Sequence, residues 1–278
     1  MLTQAQLHAV EDVEFRLLLD GLFYCHGLDY RDYVPEIVKQ RVWDRVREEG
    51  VETISAFQAL VLHEPAVLER LVAALAVTTP ALFHEPAFYA GFRAAVIPRL
   101  RTYPSFKIWQ PCCGSGEDAF SLAILLQEEG LLGRCRIYAT DVAESVFRQA
   151  ALGKIRAAGL TAGEANYQAA GGTRKLDGYV SRPGGEALMA AEVRNAVSFS
   201  AHSLATDDVF NEFEVIVCRH SVRLYDRWLQ ERVHALFNKS LSRFGMLCLG
   251  EGDVLMGTPA EQWYEDCQAG VGIYRRKS

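Results

Sequence analysis

A strand-to-helix transition at residues 107–118 constrains the fold of this chain more than any other feature. An apolar strand here enters a turn of small residues, and a helix predicted at residues 117–129 follows at once. Gly114 and Gly116 let the backbone turn sharply and approach a ligand without a Cβ. The free N–H groups at the start of the helix face the same ligand. The pattern predicts a nucleotide-type cofactor site.

Two acidic residues narrow the kind of cofactor. Asp141 ends a second predicted strand, at the position where open α/β sheets place a carboxylate that binds a ribose. Glu117 occupies the first helical turn, where a carboxylate repels the pyrophosphate of a dinucleotide but suits a cationic nucleoside. S-adenosylmethionine is the candidate cofactor that fits. A dinucleotide-dependent dehydrogenase is disfavoured for a further reason, because this chain lacks the glycine spacing of the dinucleotide-binding motif. Both acids also have purely structural explanations. Glu117 can complement the N-terminus of its helix, and Asp141 can cap the next helix.

Several blocks of the sequence, in the same order, resemble the chemotaxis receptor glutamate methyltransferases, the CheR family. The resemblance extends from about residue 29 to residue 276. The matching blocks are residues 29–33, 40–41, 82–89, 109–124, 139–141, 213–219, 229–233, 240–241 and 244–250. It implies a small N-terminal helical domain followed by a Rossmann-like, α/β methyltransferase domain with an inserted small β-subdomain. It also implies S-adenosylmethionine as cofactor and S-adenosylhomocysteine as product.

The resemblance assigns candidate functional residues position by position. The cofactor-binding candidates are Thr78, His84, Cys113, Gly114, Glu117, Asp141, Ser203, Leu204, Arg219 and His220. Of these we expect Glu117 to bind the methionine end, Asp141 the ribose, and Ser203 with Leu204 to border the adenine. As catalytic candidates that steer an acidic acceptor we take Arg219 and the two arginines Arg99 and Arg101.

The chain departs from the family pattern at several of these positions. Pro80 and His84 replace polar cofactor ligands, His220 replaces the usual Asn, and Leu224 replaces the usual Tyr. A histidine pair can provide general-base catalysis for an acceptor that must be deprotonated. The same changes are equally typical of a site that has lost its original chemistry.

Composition excludes several other classes of protein. The chain has 278 residues, is 50% hydrophobic and carries a net charge of −6, which argues against a nucleic-acid partner. No apolar run approaches the ~20 residues that span a bilayer, so we expect no membrane insertion and a cytoplasmic location. The seven cysteines predict reduced thiols, and the adjacent pair Cys112 and Cys113 suits small buried fillers more than a reactive site.

The domain organisation follows from the hydrophobic periodicity. Residues 1–90 read as helices and predict the N-terminal domain, while residues 91–278 alternate strand and helix signals and predict the methyltransferase domain. Within the latter, residues 156–198 lose the alternation, and strand-like runs at 175–181 and 187–193 predict an inserted hairpin. In the resembling family such a hairpin grips receptor tails, although glycine-rich turns suit a plain surface excursion as well.

Two functions of different class remain open from the sequence. The first is an active methyltransferase that modifies a carboxylate of a protein substrate, with a chemoreceptor-like signalling protein as partner, or another acceptor. The second is a catalytically silent module that contacts signalling partners through the same fold.

Overall fold

The computed structural model of this chain describes residues 4–253, 255, 257–268 and 270–277, which form two compact units. One unit holds the chain up to Ala76 together with Leu224–Gln230, and the other holds the remaining residues from Val77 onward. Within the described ranges, no helix combines the length and the apolar character that crossing a bilayer requires.

The first unit is built of four helices, and their ends lie within one residue of those that the apolar spacing predicts, at residues 5–26, 34–49, 54–62 and 65–75. They are α1 (Gln4–His26), α2 (Pro35–Glu48), α3 (Ile54–His63) and α4 (Pro65–Leu75). The hydroxyl of Thr53 caps α3 by accepting the N–H of Ala56 at 3.1 Å. Val38, Val42 and Val46 recur every four residues on α2, and all three are buried. The unit is the small helical domain that the sequence predicts.

A late segment of the chain, Leu224–Gln230, completes this helical unit. The N–H of Val34 donates to the carbonyl of Leu224 at 2.8 Å. The rings of Tyr33 and Tyr225 meet edge to face, with centroids 4.8 Å apart. Leu224, the position where the family pattern has Tyr, is therefore a buried residue of the helical unit.

The break between the units comes earlier than the boundary at residue 90 that the sequence suggests. Leu82 and Phe83 are fully buried in the hydrophobic core of the second unit. The N–H of Phe83 also donates to the hydroxyl of Ser121 at 2.8 Å. Residues 77–90 therefore belong to the sheet-containing unit, because their apolar side chains are buried there.

The second unit is a seven-stranded sheet with helices between its strands, plus a two-stranded hairpin. The strands are β1 (Phe106–Pro111), β2 (Cys135–Asp141), β3 (Val180–Ser181), β4 (Leu188–Met189), β5 (Val197–Ala201), β6 (Phe213–Cys218), β7 (Leu241–Leu249), β8 (Tyr264–Gln268) and β9 (Ile273–Arg276). From residue 86 onward the helices are α5 (Pro86–Ala95), α6 (Ile97–Leu100), α7 (Glu117–Glu128), α8 (Glu144–Ala151), α9 (Ala157–Ala169), α10 (Ala191–Asn195) and α11 (Arg227–Ser240).

The order of the strands fixes where a ligand can bind. The large sheet runs β5-β2-β1-β6-β7-β9-β8, and all pairs are parallel except the two that involve β9. The chain moves outward from β1 through β2 to β5, then returns to the other side of β1 with β6. Open α/β sheets bind ligands at the carboxyl ends of the strands where the order reverses in this way. The turn after β1 lies at that point.

The predicted insertion at residues 156–198 contains a hairpin, but it is smaller and more helical than the sequence suggests. Only two residue pairs join β3 to β4, Val180 with Met189 and Ser181 with Leu188. The strand predicted at residues 187–193 is wrong in its second half, because α10 begins at Ala191. Alternating apolar residues in so short a run fit one helical turn as well as a strand.

Candidate cofactor site

Asp141 ends β2 with a carboxylate that is buried and already partly hydrogen-bonded. Its Oδ2 accepts the N–H of Gly114 at 2.9 Å, and its Oδ1 accepts the N–H of Val142 at 2.8 Å. Burial raises the pKa of Asp141 to about 6, against the lowering effect of these two N–H groups. Each oxygen keeps a lone pair, so the carboxylate has acceptor capacity for two further donors such as ribose hydroxyls.

The turn after β1 requires glycine for two separate reasons. Gly114 has a φ of +52°, and a Cβ there would lie 2.1 Å from the carbonyl oxygen of Val77. Gly116 has a φ of +87°, and its Cβ would lie 2.6 Å from the Cβ of Ala150. Thr78 approaches the same turn, with its Cα 3.4 Å from the Cβ position of Gly114. Glycine is therefore required both for the left-handed backbone conformation and for the close packing of neighbouring atoms against the turn.

Glu117 begins α7 with a side chain that is only 1% exposed. Its Oε2 accepts the hydroxyl of Ser115 at 2.6 Å, and its Oε1 accepts two N–H groups of Arg156, from Nη2 at 2.7 Å and Nε at 3.1 Å. Arg156 also donates to the carbonyl of Thr79 at 2.9 Å. No sequence motif points to Arg156, which lies just before α9.

The two acids converge on one place. Asp141 binds the N–H of Gly114 and Glu117 binds the hydroxyl of Ser115, so consecutive residues of one turn hold both carboxylates. The main-chain N–H of His202 donates to the carbonyl of Asp141 at 2.9 Å, so the loop after β5 lies at the same edge. This loop contains Ser203 and the buried Leu204.

These residues fit S-adenosylmethionine. Asp141 offers acceptor atoms for ribose hydroxyls, and the carboxylate of Glu117 complements an ammonium group. Arg156 complements a carboxylate, so the ion pair of Glu117 and Arg156 matches the zwitterionic methionine end in both signs. A side chain at Gly114 would block the close approach that the turn provides.

Arg219 follows β6 and joins three parts of the second unit. Its Nη1 donates to Asp118 at 2.9 Å, and its Nη2 donates to the Glu85 carboxylate at 2.7 Å and to the carbonyl of His84 at 2.9 Å. The hydroxyl of Tyr89 also donates to Asp118 at 2.7 Å. Burial lowers the pKa of Arg219, but the two carboxylates outweigh it and hold the pKa above its usual value.

This network gives Arg219 a positioning role. Its side chain is 1% exposed, and its terminal nitrogens are engaged with residues of the protein. It fastens the segment around Glu85 to the start of α7, so it orients the walls of the site. Asp118 and Tyr89, which complete the network, were not among the predicted site residues, although both lie within the motif blocks that the sequence offers.

Arg99 and Arg101 lie elsewhere in the second unit. Both precede β1, at the amino end of the sheet's first strand. Arg101 is exposed and donates to the carboxylate of Glu129 at 2.6 Å, just past the end of α7. Arg99 has its Nη1 4.0 Å from the sulfur of Met246. The structure does not bring these two arginines to the carboxyl edge that holds Glu117 and Asp141, so they have no part in the function proposed below.

His84 and His220 lie side by side, with ring centroids 5.9 Å apart. Nε2 of His220 is 3.5 Å from Oε2 of Glu85. Burial and the charge of Arg219 lower the pKa of His220. Burial raises the pKa of Glu85, but the hydrogen bond from Arg219 outweighs it and leaves that pKa lowered.

Cys113 lies in the turn after β1 as a buried thiol. Burial, followed by the nearby Asp141, raises its pKa well above the usual value, so the thiol stays protonated and unreactive. Its N–H donates to the carbonyl of Thr140 at 2.9 Å. All seven cysteines of the chain are free thiols. The residue therefore contributes packing and backbone contacts to the turn.

The fold and this site define an S-adenosylmethionine-dependent methyltransferase, and family models agree. The model described as CheR methyltransferase, all-alpha domain, matches residues 13–76. The model described as CheR methyltransferase, SAM binding domain, matches residues 79–272. The chain belongs to the CheR methyltransferase family. The predicted family, fold class and cofactor are confirmed.

Relatives of known name support the same assignment. A protein of Pseudomonas putida named putative methyltransferase Cher3 is 38% identical over 239 residues, covering 86% of this chain and 88% of the relative. A chemotaxis protein methyltransferase of Listeria innocua is 24% identical over 237 residues, covering 84% of this chain and 87% of the relative.

Solved structures are more distant. The glycopeptide N-methyltransferase MtfA complexed with sinefungin is 16% identical with a TM-score of 0.36; the match covers 62% of this chain and 50% of that one. The chain thus spans about half of that solved protein.

Proposed function

We propose that this methyltransferase modifies a carboxylate side chain of a protein substrate, and that the substrate is a chemoreceptor-like signalling protein in the cytoplasm. The observation that carries the cofactor half of the proposal is the pair of acids, Glu117 and Asp141, held by one turn. The name of the Listeria relative, chemotaxis protein methyltransferase, supports the acceptor half.

The binding mode follows from the polarity of each partner. Asp141 accepts the ribose hydroxyls on the lone pairs that Gly114 and Val142 leave free. Glu117 accepts the ammonium of the methionine end, and Arg156, whose side chain is 56% exposed, reorients toward its carboxylate. Ser203 and Leu204 border the adenine, and Thr78 closes the turn from the other side. The contacts of Asp141 with Gly114, and of Glu117 with Ser115 and Arg156, support the ribose and methionine assignments.

The reaction asks little acid–base chemistry of the protein. S-adenosylmethionine supplies a methyl group on an activated sulfonium leaving group. A carboxylate acceptor is ionised near pH 7, so no general base is required. The contribution of this chain is to align the acceptor with the methyl group and to exclude water. Correct alignment of the reacting groups can by itself give a large rate gain. The network of Arg219 with Asp118 and Glu85 serves that alignment by fixing the segment that carries His84.

Methyl transfer to purified chemoreceptor cytoplasmic fragments, with radiolabelled S-adenosylmethionine, tests the acceptor. We expect label on the fragments that is released as volatile methanol at alkaline pH, because methyl esters hydrolyse there and methylated amines do not. Fragments with their acceptor Glu residues changed to Gln serve as the matched control and should stay unlabelled.

The other outcomes separate the alternatives. Label that resists alkaline hydrolysis would contradict a carboxylate acceptor, and would favour a methyltransferase that acts on a different acceptor group. Cofactor binding without any transfer, to any fragment tested, would favour the regulatory module over the enzyme that acts on receptors.

Cofactor affinity should fall in acid, because Asp141 titrates within an accessible range. Burial raises the pKa of Asp141 to about 6, so the carboxylate becomes protonated as the pH falls through that value. The protonated group loses acceptor capacity for the ribose, which weakens affinity roughly tenfold one pH unit below the pKa. Calorimetric titration with S-adenosylhomocysteine between pH 5 and pH 8 measures this dependence.

The variant Asp141→Asn is the control for that titration. It should bind weakly at every pH and lose the inflection near pH 6, since an amide does not titrate. An unchanged inflection in the variant would assign the pH dependence to another group, such as His220.

A further inference from the structure

We propose that His84, Glu85 and His220 bind a divalent transition-metal ion of the zinc class. One candidate ligand atom from each residue lies within 4.8 Å of the other two. The inference does not depend on the acceptor named above, and two of its three residues, His84 and His220, are positions at which this chain departs from the pattern of its family.

The distances between the candidate ligand atoms are close to those between the ligands of a bound metal ion. Zinc binds imidazole nitrogen and carboxylate oxygen at about 2.1 Å, so two ligands of a tetrahedral ion lie roughly 3.4 Å apart. Nε2 of His220 is already 3.5 Å from Oε2 of Glu85. The half-buried His84 needs a side-chain adjustment of up to about 1.4 Å to complete the set.

The hydrogen bonding of His220 is a second observation on the same site. Its side chain is 10% exposed, and its Nε2 makes no hydrogen bond within the described part of the chain. Buried polar atoms are almost always paired, because leaving one unpaired costs about 1–3 kcal/mol. A metal ion at this nitrogen would satisfy it. The backbone of His220 also has a φ of +64°, a conformation that non-glycine residues adopt rarely.

The backbone atoms that position these ligands are fixed by neighbouring hydrogen bonds. Arg219 donates to the carbonyl of His84 at 2.9 Å. The carboxylate of Asp253 accepts the N–H of His220 at 2.5 Å and that of Gly250 at 3.1 Å. Among the ligand side chains, Glu85 accepts a hydrogen bond from Arg219 at 2.7 Å, and contacts of this kind orient the ligands of protein metal sites.

The local charge and the choice of ligands define the ion. The carboxylates of Asp118, Glu85 and Asp253 outnumber the guanidinium groups of Arg219 and Arg223, which leaves one negative charge for a cation to balance. Two imidazoles with one carboxylate suit zinc, cobalt, nickel or iron, whereas magnesium and calcium prefer oxygen ligands throughout. Glu85 also lines a cavity of about 320 Å³.

Titration of chelator-treated protein with Co²⁺, followed by visible absorption, tests the proposal. The experiment uses the double variant Cys25→Ser and Cys267→Ser, because these two thiols are exposed and would bind the same metal. We expect saturable binding of one Co²⁺ per chain, with an affinity in roughly the micromolar range or tighter. The spectrum should show ligand-field bands without thiolate charge transfer, and Zn²⁺ should displace the Co²⁺.

Three further substitutions in that background assign the site. His84→Ala and His220→Asn should each weaken Co²⁺ binding at least ~100-fold, since losing even a supporting residue costs up to that factor. Asn tolerates the left-handed backbone of His220, so the fold should survive. The exposed His63, changed to Ala, should leave the affinity unchanged.

Absence of saturable binding, or equal binding in the two ligand variants, would overturn the proposal. Calorimetry with S-adenosylmethionine on the chelator-treated parent protein and on its His63→Ala control reads the cofactor site separately, because the cofactor-binding candidates His84 and His220 are intact in both. A failure of the metal site therefore cannot be confused with a failure of the proposed methyltransferase function.

Discussion

Arg219→Leu should destabilise the protein by about 3–5 kcal/mol, because it leaves two carboxylates without their buried partner. Asp118 and Glu85 lie 2.9 Å and 2.7 Å from the guanidinium nitrogens, and Asp118 is 4% exposed. The loss corresponds to a melting temperature lower by about 10 °C for a unit of this size. Thermal unfolding followed by circular dichroism measures the change.

Two further variants test the cause of that destabilisation. Adding Asp118→Asn to Arg219→Leu should recover part of the stability, because it removes one uncompensated buried charge. Arg101→Ala removes an exposed arginine that also pairs with a carboxylate, and should cost no more than about 1 kcal/mol. Equal melting temperatures for Arg219→Leu and Arg101→Ala would refute the buried network as a structural element.

Gly114→Ala should weaken S-adenosylmethionine binding at least ~100-fold. A Cβ at this position would lie 2.1 Å from the carbonyl oxygen of Val77, and no side-chain rotation can relieve a clash with backbone. The turn must shift and take with it the N–H that donates to Asp141. Displacing a strained turn costs roughly 3 kcal/mol, which is about the stated factor in the dissociation constant. Calorimetric titration gives the comparison.

Two other glycines separate the clash from the backbone conformation. Gly130 has a φ of +68° with open space around its Cβ position, so Gly130→Ala carries only the strain of a left-handed alanine. Gly133 has open space and no positive φ, so Gly133→Ala should change nothing measurable. Both should bind the cofactor as the wild type does. Weak binding by Gly130→Ala would indicate a general loss of stability instead of a local one.

The sequence was sufficient where structure depends on neighbours along the chain. The four helices of the first unit lie within a residue or two of their predicted ends, because their apolar spacing and starting prolines are local signals. The turn containing Gly114 and the acid at Asp141 were predictable for the same reason. A strand, a glycine turn and a helix in succession leave few alternatives for the backbone.

The sequence was insufficient where partners are distant in the chain. Arg156 meets Glu117 across 39 residues, and Arg219 meets Asp118 across 101. No local pattern encodes such pairs, since they depend on how loops from different strands are arranged at one edge of the sheet. The predicted boundary at residue 90 differs from the observed break at Ala76 for a related reason. The apolar residues Leu82 and Phe83 fit the core of either unit, and only tertiary packing assigns them to one.

On the proposed binding mode, Asp141 holds the ribose and Glu117 holds the methionine end of one cofactor molecule. Calorimetry with S-adenosylmethionine and with methylthioadenosine, which lacks the methionine end, tests both contacts. Asp141→Asn should weaken both ligands roughly 10- to 100-fold, the worth of a hydrogen bond to a charged group. Glu117→Gln should weaken S-adenosylmethionine by a similar factor and leave methylthioadenosine unchanged. Equal weakening of both ligands by Glu117→Gln, or no effect of Asp141→Asn on either, would contradict the account.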